Sequence, residues 1–207
     1  MARPVNANAD VTRARILGAA GTLFSARGVG QTSIRQIAKD AGVSLGMVHH
    51  YFGSKDALYT ACVDAMYGEL AELQATLLAA AAVHTGSQRD LIDEVVRTCF
   101  RFALSHEPAV RLVMREVVET KEIPEARRTG FLLPFLEVGT ALFSGPNVRL
   151  GLQSVVFLIV RFSLSSVSEL EALVGADDLT EAQLLDEVES HLVHCARRLL
   201  LPSGDTP

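Results

Sequence analysis

Between Ser33 and Phe52 the chain reads SIRQIAKDAGVSLGMVHHYF. Ile34, Ile37, Ala38 and Ala41 recur at three- and four-residue steps and make one apolar face, so a short helix is expected over 33–40. Ser33 is its natural N-cap, with Gln36 in place to complete a capping box. Gly42 ends it where left-handed backbone is needed, and Val43 packs inward from the turn. Ser44 caps a second helix over 44–51, with Val48 and Tyr51 on its inner side and polar groups outside. Ala38 stands where the two helices approach most closely. Two short helices across a glycine turn form a helix-turn-helix suited to a DNA major groove, although an ordinary αα-corner shares the same turn.

The remaining pattern is helical throughout. A first helix is expected over 10–27, with Ile16, Ala20, Leu23 and Phe24 inside and Arg13 and Arg15 pointing outward near phosphate height; Gly28 and Gly30 end it. Residues 1–9 read as a flexible arm. Ser54 caps a long helix over 55–82 that carries Leu58, Cys62, Met66, Leu70, Leu73, Leu77 and Ala80 on one stripe. At 1.5 Å per residue it spans roughly 40 Å. After Thr85-Gly86-Ser87 comes a helix over 88–106, with Ile92, Val95, Val96, Cys99, Phe100 and Ala103 inside. Asp93, Arg97 and Arg101 recur every four residues on its other face and suggest a solvated ion-pair row. Further helices are expected over 108–120, over 125–143 with a kink at Pro134, over 148–173, and over 180–201 with Thr180 and Gln183 as a capping box. On the last, Leu184, Val188, His191, Leu192, Cys195 and Leu199 make a packing seam. The tail from Pro202 reads as disordered. The fold expected is all-α with about nine helices.

The first sixty residues closely resemble the DNA-binding domain of TetR-type transcriptional regulators. The matching pieces are Arg15-Ile16-Leu17, Ala19-Ala20, Leu23-Phe24, Gly28, Thr32-Ser33-Ile34, Ile37-Ala38, Ala41-Gly42-Val43-Ser44, Tyr51-Phe52 and Ser54-Lys55-Asp56-Ala57-Leu58. The resemblance implies a three-helix DNA-binding head over 1–54 and a larger helical ligand-binding and dimerisation domain over 55–207. It further implies a homodimer through four helices, two from each chain near 148–173 and 180–201, with the long helix as the lever between ligand and DNA. In the family the positions of Met47 and His49 are often threonine and tyrosine, and that tyrosine contacts phosphate. Here His49 takes that place, and Met47 is suited to a thymine methyl.

Ser44, Leu45, Gly46, Met47, His49 and His50 are the candidates for contact from the recognition helix. Thr32, Ser33, Arg35, Tyr51 and Lys55 are candidates for backbone contacts, which set position but not sequence. A solvated side chain remains an equal reading for Arg35, and a core role for Tyr51.

The net charge of −5 looks wrong for a DNA-binding protein until it is divided. Residues 1–60 hold seven Lys/Arg against three Asp/Glu, whereas residues 61–207 hold twelve against twenty-one. The phosphate-facing charge therefore lies in the head. Cys62, Cys99 and Cys195 are widely spaced and odd in number, as suits buried thiols in a reducing cytosol. The start has no apolar core for a signal peptide. The apolar run 150–160 is too short for a bilayer span, so a cytoplasmic protein is expected.

Phe100, Met114, Phe131, Phe135, Phe157 and Phe162 are spread over the C-terminal helices and suit either plain core or a pocket for an apolar or aromatic effector, with Arg161 beside an acidic ligand group or a carboxylate partner. Glu187, His191, His194 and Cys195 could approach a metal, but the helix seam accounts for them better. No phosphate loop, nucleophile elbow or paired-cysteine motif appears, so neither an enzyme nor a cofactor is expected. The function expected is a dimeric, ligand-responsive regulator of transcription, a repressor of a near-palindromic operator. The alternative is a ligand-sequestering or scaffold protein whose head no longer reads sequence.

Overall fold

The computed structural model describes residues 5–120, 122–176 and 178–202. Among these the chain is helical, with no strand. The helices are α1 (Val5–Gln31), α2 (Ile34–Asp40), α3 (Leu45–Phe52), α4 (Lys55–Val83), α5 (Gln88–Ser105), α6 (Glu107–Thr120), α7 (Glu125–Arg127), α8 (Leu133–Leu142), α9 (Val148–Ser163), α10 (Val167–Val174) and α11 (Glu181–Leu200), with a π-helical turn, Arg128–Leu132, between α7 and α8. Arg3 in the expected arm and the tail beyond Pro202 lie outside the described residues. Residues 1, 2 and 4 lie outside them too, and from Val5 the arm is helical: α1 begins there, ahead of the expected Asp10. Its helical geometry breaks at Gly28, whose φ of 78° no ordinary side chain adopts easily.

Packing divides the chain into two compact units. The first comprises residues 1–70 and 108–123, the second residues 71–107 and 124–207. In the first, Ile16, Ala20, Leu23 and Phe24 of α1 close on Ile37, Ala38 and Ala41 at α2, Val48 of α3 and Leu58, Cys62 and Val63 of α4. Leu112 of α6 is buried in the same core, so this helix is part of the head's packing. Burial of these side chains, each contributing about 1.5–3 kcal/mol, is what holds α2 and α3, short helices that would be marginal alone.

In the second unit, α5, α9 and α11 pack on one another. Their buried faces are Ile92, Val96, Phe100 and Ala103; Leu152, Val155 and Ile159; and Leu184, Val188, Leu192, Ala196 and Leu200. The seam read along α11 is therefore largely occupied within one chain: Leu184, Val188 and Leu192 face inward, while His191 stays exposed. The Asp93, Arg97 and Arg101 row is corrected as well. Asp93 accepts two bonds from Arg197, and Glu189 receives Arg97 at 3.1 Å and Arg101 at 3.4 Å. The charges tie α5 to α11 instead of pairing along α5.

Two expected helices are divided. The segment expected over 125–143 does not bend only at Pro134; the chain widens into the π turn just before it, and the proline enters at the start of α8, where no intrahelical N–H is needed. The segment expected over 148–173 breaks after Ser163 and turns by 119° into α10. Ser166 accepts the Glu169 N–H and caps the new helix. Arg161 holds the corner by donating to Ser165 and Glu169. No single described helix is long and apolar enough to cross a membrane.

Candidate nucleic-acid interface

The recognition helix α3 begins as its sequence demands. Ser44 sits in extended backbone and its hydroxyl accepts the Met47 N–H at 3.2 Å. Across the turn, Ser33 and Gln36 form the full capping box on α2, and Gly42 has a φ of +63°. Val48 is 1% exposed, whereas Leu45 and Met47 are each 37% exposed and Gly46, His49 and His50 are exposed too. Tyr51 is half-buried against the head core and meets the His50 ring edge-to-face at 5.4 Å. Ser44, Leu45, Gly46, Met47, His49 and His50 thus share an open surface, and Tyr51 is mostly core. Ser33 and Arg35 are exposed at the start of α2.

Several residues expected at phosphate height instead assemble the head. Arg15 donates to the carbonyls of Ala41 at 2.5 Å and Gly42 at 3.2 Å, the free carbonyls at the end of α2. Arg13 lies over the Phe52 ring at 5.3 Å, a cation–π contact. Lys55 donates to Val29 at 2.9 Å and Thr32 at 3.3 Å, closing the end of α1. Thr32 is 2% exposed, and its hydroxyl donates to Gly28 at 2.8 Å. Its side chain is thus inaccessible to a phosphate. A helix end leaves carbonyls without partners; Arg15 and Lys55 answer that need across more than 20 residues of sequence, and Thr32 across a turn. No local spacing signals such bonds.

His49 is constrained in another way. Its Nδ1 lies 2.8 Å from the Gly53 carbonyl, while the Gly53 N–H donates to the His49 carbonyl. The ring is held at the end of α3 with Nε2 on its far side.

This geometry agrees with the family comparison. Residues 16–62 match the model described as bacterial regulatory proteins, tetR family. The head thus matches the TetR family in sequence. The regulator BetI of Rhizobium meliloti is 34% identical over 99 residues, which is 47% of this chain and 43% of that protein. AcrR of Shigella flexneri is 38% identical over 74 residues, or 36% of this chain and 34% of the relative. The chain spans about half or less of the length of the curated relatives it matches. The fold likeness runs further. A TetR-like transcriptional regulator from Rhodococcus sp. RHA1 superposes with a TM-score of 0.65 at 20% identity, covering 96% of this chain and 97% of that one. A TetR family regulator from Marinobacter aquaeolei VT8 gives 0.66 at 19% identity, covering 92% and 98%. The TetR-family match thus rests on sequence in the head; beyond it the likeness is one of fold alone.

The ligand candidates are distributed over both units. Phe100 is 1% exposed, a core residue of α5. Met114 is half-buried on α6, in the first unit. Phe157 is 47% exposed on α9. Arg161 is engaged by Glu169, and its hydrogen bond holds that carboxyl below the usual range. It is therefore a corner clamp, with its charge already matched. Phe131 and Phe135 remain together: their rings stack 6.3 Å apart and nearly parallel across the π turn. Phe162 packs edge-on to His191 at 6.0 Å.

Proposed function

We propose that the chain is a ligand-responsive transcriptional regulator of the cytoplasm. It binds DNA as a homodimer through α3 and acts as a repressor released by a small apolar or aromatic effector. The observation that carries the reading is the free outer face of α3. A helix built only for packing would cover Leu45, Met47, His49 and His50; here the helix is capped, bolted from behind by Arg15 and Arg13, and left open in front. In a major groove Met47 suits a thymine methyl, His50 can donate to a base acceptor, and Gly46 permits close backbone approach. Ser33 and Arg35 at the start of α2 are placed for phosphates.

Pairing through the second unit is supported by Leu150, Phe157 and Leu173, which are 69%, 47% and 59% exposed on α9 and α10. Apolar side chains so open on a helix surface favour a partner of the same kind. Two-fold pairing calls for operator half-sites one helical turn, roughly 34 Å, or a multiple apart. The stacked Phe131 and Phe135 beside a π turn support an effector site in that unit, because such turns widen a helix and often accompany ligand sites. For regulation the effector must bind the DNA-competent and DNA-free states unequally.

The test joins light scattering to a band-shift with duplex from upstream of the chain's own gene, repeated across salt concentrations. Expected are a dimer, binding that weakens steeply with salt, and weaker binding by Met47→Ala and His50→Ala. A monomer that retains no duplex would overturn the reading.

A further inference from the structure

Readout of a base by paired hydrogen bonds in the major groove uses Arg or Lys for guanine, Asn or Gln for adenine, and Glu or Asp for cytosine. The helix α3 reads LGMVHHYF and holds none of the six. Of its polar side chains, His49 has Nδ1 against the Gly53 carbonyl, and Tyr51 is packed on the head core. His50 is left, and one edge of an imidazole makes a single bond. On α2, Gln36 spends its side-chain oxygen on the Ser33 cap, so it has no second end to pair with adenine.

The first turn of α3 offers something else, an apolar and bare surface. Leu45 and Met47 are each 37% exposed. Between them stands Gly46. Nothing inside the protein asks for glycine there: its backbone is helical, without a positive φ, and an added Cβ would meet no atom nearer than the Ser44 hydroxyl oxygen at 3.9 Å. Glycine weakens a helix relative to alanine, so the reason for the missing side chain lies in what approaches from outside. The N-terminal residues of a recognition helix are those that reach base edges. The base-edge group that suits two apolar side chains around a bare backbone is the C5-methyl of thymine.

Resting on the regulator reading above, we propose that α3 selects its operator by thymine methyl groups, seated on Leu45 and Met47 with Gly46 leaving room for the base edge, and not by paired hydrogen bonds. Each half-site then carries thymine under the first turn of α3. Cytosine methylated at C5 is accepted in its place, because it presents the same methyl. The competing reader is Arg35, exposed on α2; through guanine it would make recognition indifferent to methyl groups.

The experiment removes methyls and leaves base pairs and phosphates alone. The duplex from upstream of the chain's own gene is amplified with dTTP or with dUTP in its place, and binding of the full chain to each is read by fluorescence anisotropy at fixed salt. Burial of one methyl corresponds to about fourfold in affinity. A dimer with one methyl under each head should therefore bind the uracil duplex at least about tenfold more weakly. Leu45→Ala and Met47→Ala, made singly, should bind the thymine duplex more weakly and shrink that ratio, while His50→Ala leaves the ratio as it is. Gly46→Ala should keep the melting temperature and lose affinity. At the thymine whose replacement matters most, a 5-methylcytosine·guanine pair should bind better than cytosine·guanine. Equal binding of the two duplexes overturns the proposal. So does a ratio unchanged in both Leu45→Ala and Met47→Ala, which would trace the effect to duplex stiffness, a ratio removed by His50→Ala, or Gly46→Ala protein that binds as the unaltered chain does. A folded dimer that binds neither duplex overturns the regulator reading itself, and so is distinguishable from failure of methyl readout alone.

Discussion

Lys55 offers a sharp separation of scaffold from contact. It stands in the first turn of α4, where a cation is opposed by the positive end of the helix. Its Nζ is nevertheless held by the Val29 carbonyl at 2.9 Å and the Thr32 carbonyl at 3.3 Å, at the negative end of α1. Methionine keeps the stem and removes the donors, so Lys55→Met leaves both carbonyls unanswered. A hydrogen bond to a charged group contributes about 1.5–3 kcal/mol when dry. The site is only half-buried, and water can replace part of each bond, so about 1–3 kcal/mol for the pair is a fair expectation. For a chain of this length each kcal/mol moves the melting temperature by about 2–4 °C, which places the loss at about 2–12 °C. Calorimetry or circular dichroism reads that directly. DNA binding by the folded fraction should keep its salt dependence, because no phosphate contact is removed. If instead the melting temperature holds and the slope of log affinity against log salt becomes shallower by about 0.9, the lysine contacts phosphate and the clamp argument is wrong.

Gly151→Ala should destabilise by about 1–3 kcal/mol although alanine is the better helix former, because the new Cβ would lie 2.9 Å from the Leu199 carbonyl oxygen, a backbone atom that cannot swing aside; an unchanged urea midpoint would refute this. Burial pushes the thiols of Cys62 and Cys99 up to about 12 from an ordinary 9.0, so the folded state keeps them protonated while the unfolded chain ionises. Their contribution is complete below pH 9 and is lost as pH climbs toward 12; denaturant midpoints across that range should fall less steeply in Cys62→Ala and Cys99→Ala, and an unchanged slope would count against burial as the cause. Glu189→Gln removes the shared partner of Arg97 and Arg101, which are 46% and 71% exposed, so the cost should stay near 0.5–1 kcal/mol after solvent screening, roughly that of a surface pair; a loss several times larger in chemical denaturation would show the network to be much drier than its exposure indicates.

The head was readable in sequence where structure is local. Ser33 with Gln36, the positive φ at Gly42 and the Ser44 cap each depend on residues within three or four positions, and each stands where spacing put it. Thr180 with Gln183 is the same case on α11. Failures came where a side chain answers a distant need. Arg15 reaches carbonyls 26 and 27 residues away, and Arg197 meets Asp93 across 104. The break after Ser163 was hidden because 148–173 is apolar on both sides of it; the signal was the pair Ser165-Ser166, which offers a cap as readily as it continues a helix. Burial of Leu184, Val188 and Leu192 could not be assigned from periodicity, since a seam looks alike whether it meets a neighbour in the chain or a second copy.

These placements change how the head would hold DNA. Its balance of +4 over residues 1–60 suggests binding carried by charge. Yet Arg13 is over an aromatic ring, Arg15 and Lys55 are on helix-end carbonyls, and Arg3 lies outside the described residues. The cations left open are Arg27, Arg35 and Lys39, all exposed. Each phosphate neutralised steepens the log–log salt slope by about 0.9, so one head using all three would approach about 2.7 and a dimer about twice that. A measured slope well beyond this would require the clamped cations to let go of their carbonyls, at a cost in head stability, which would appear as a melting temperature that DNA raises less than its affinity requires.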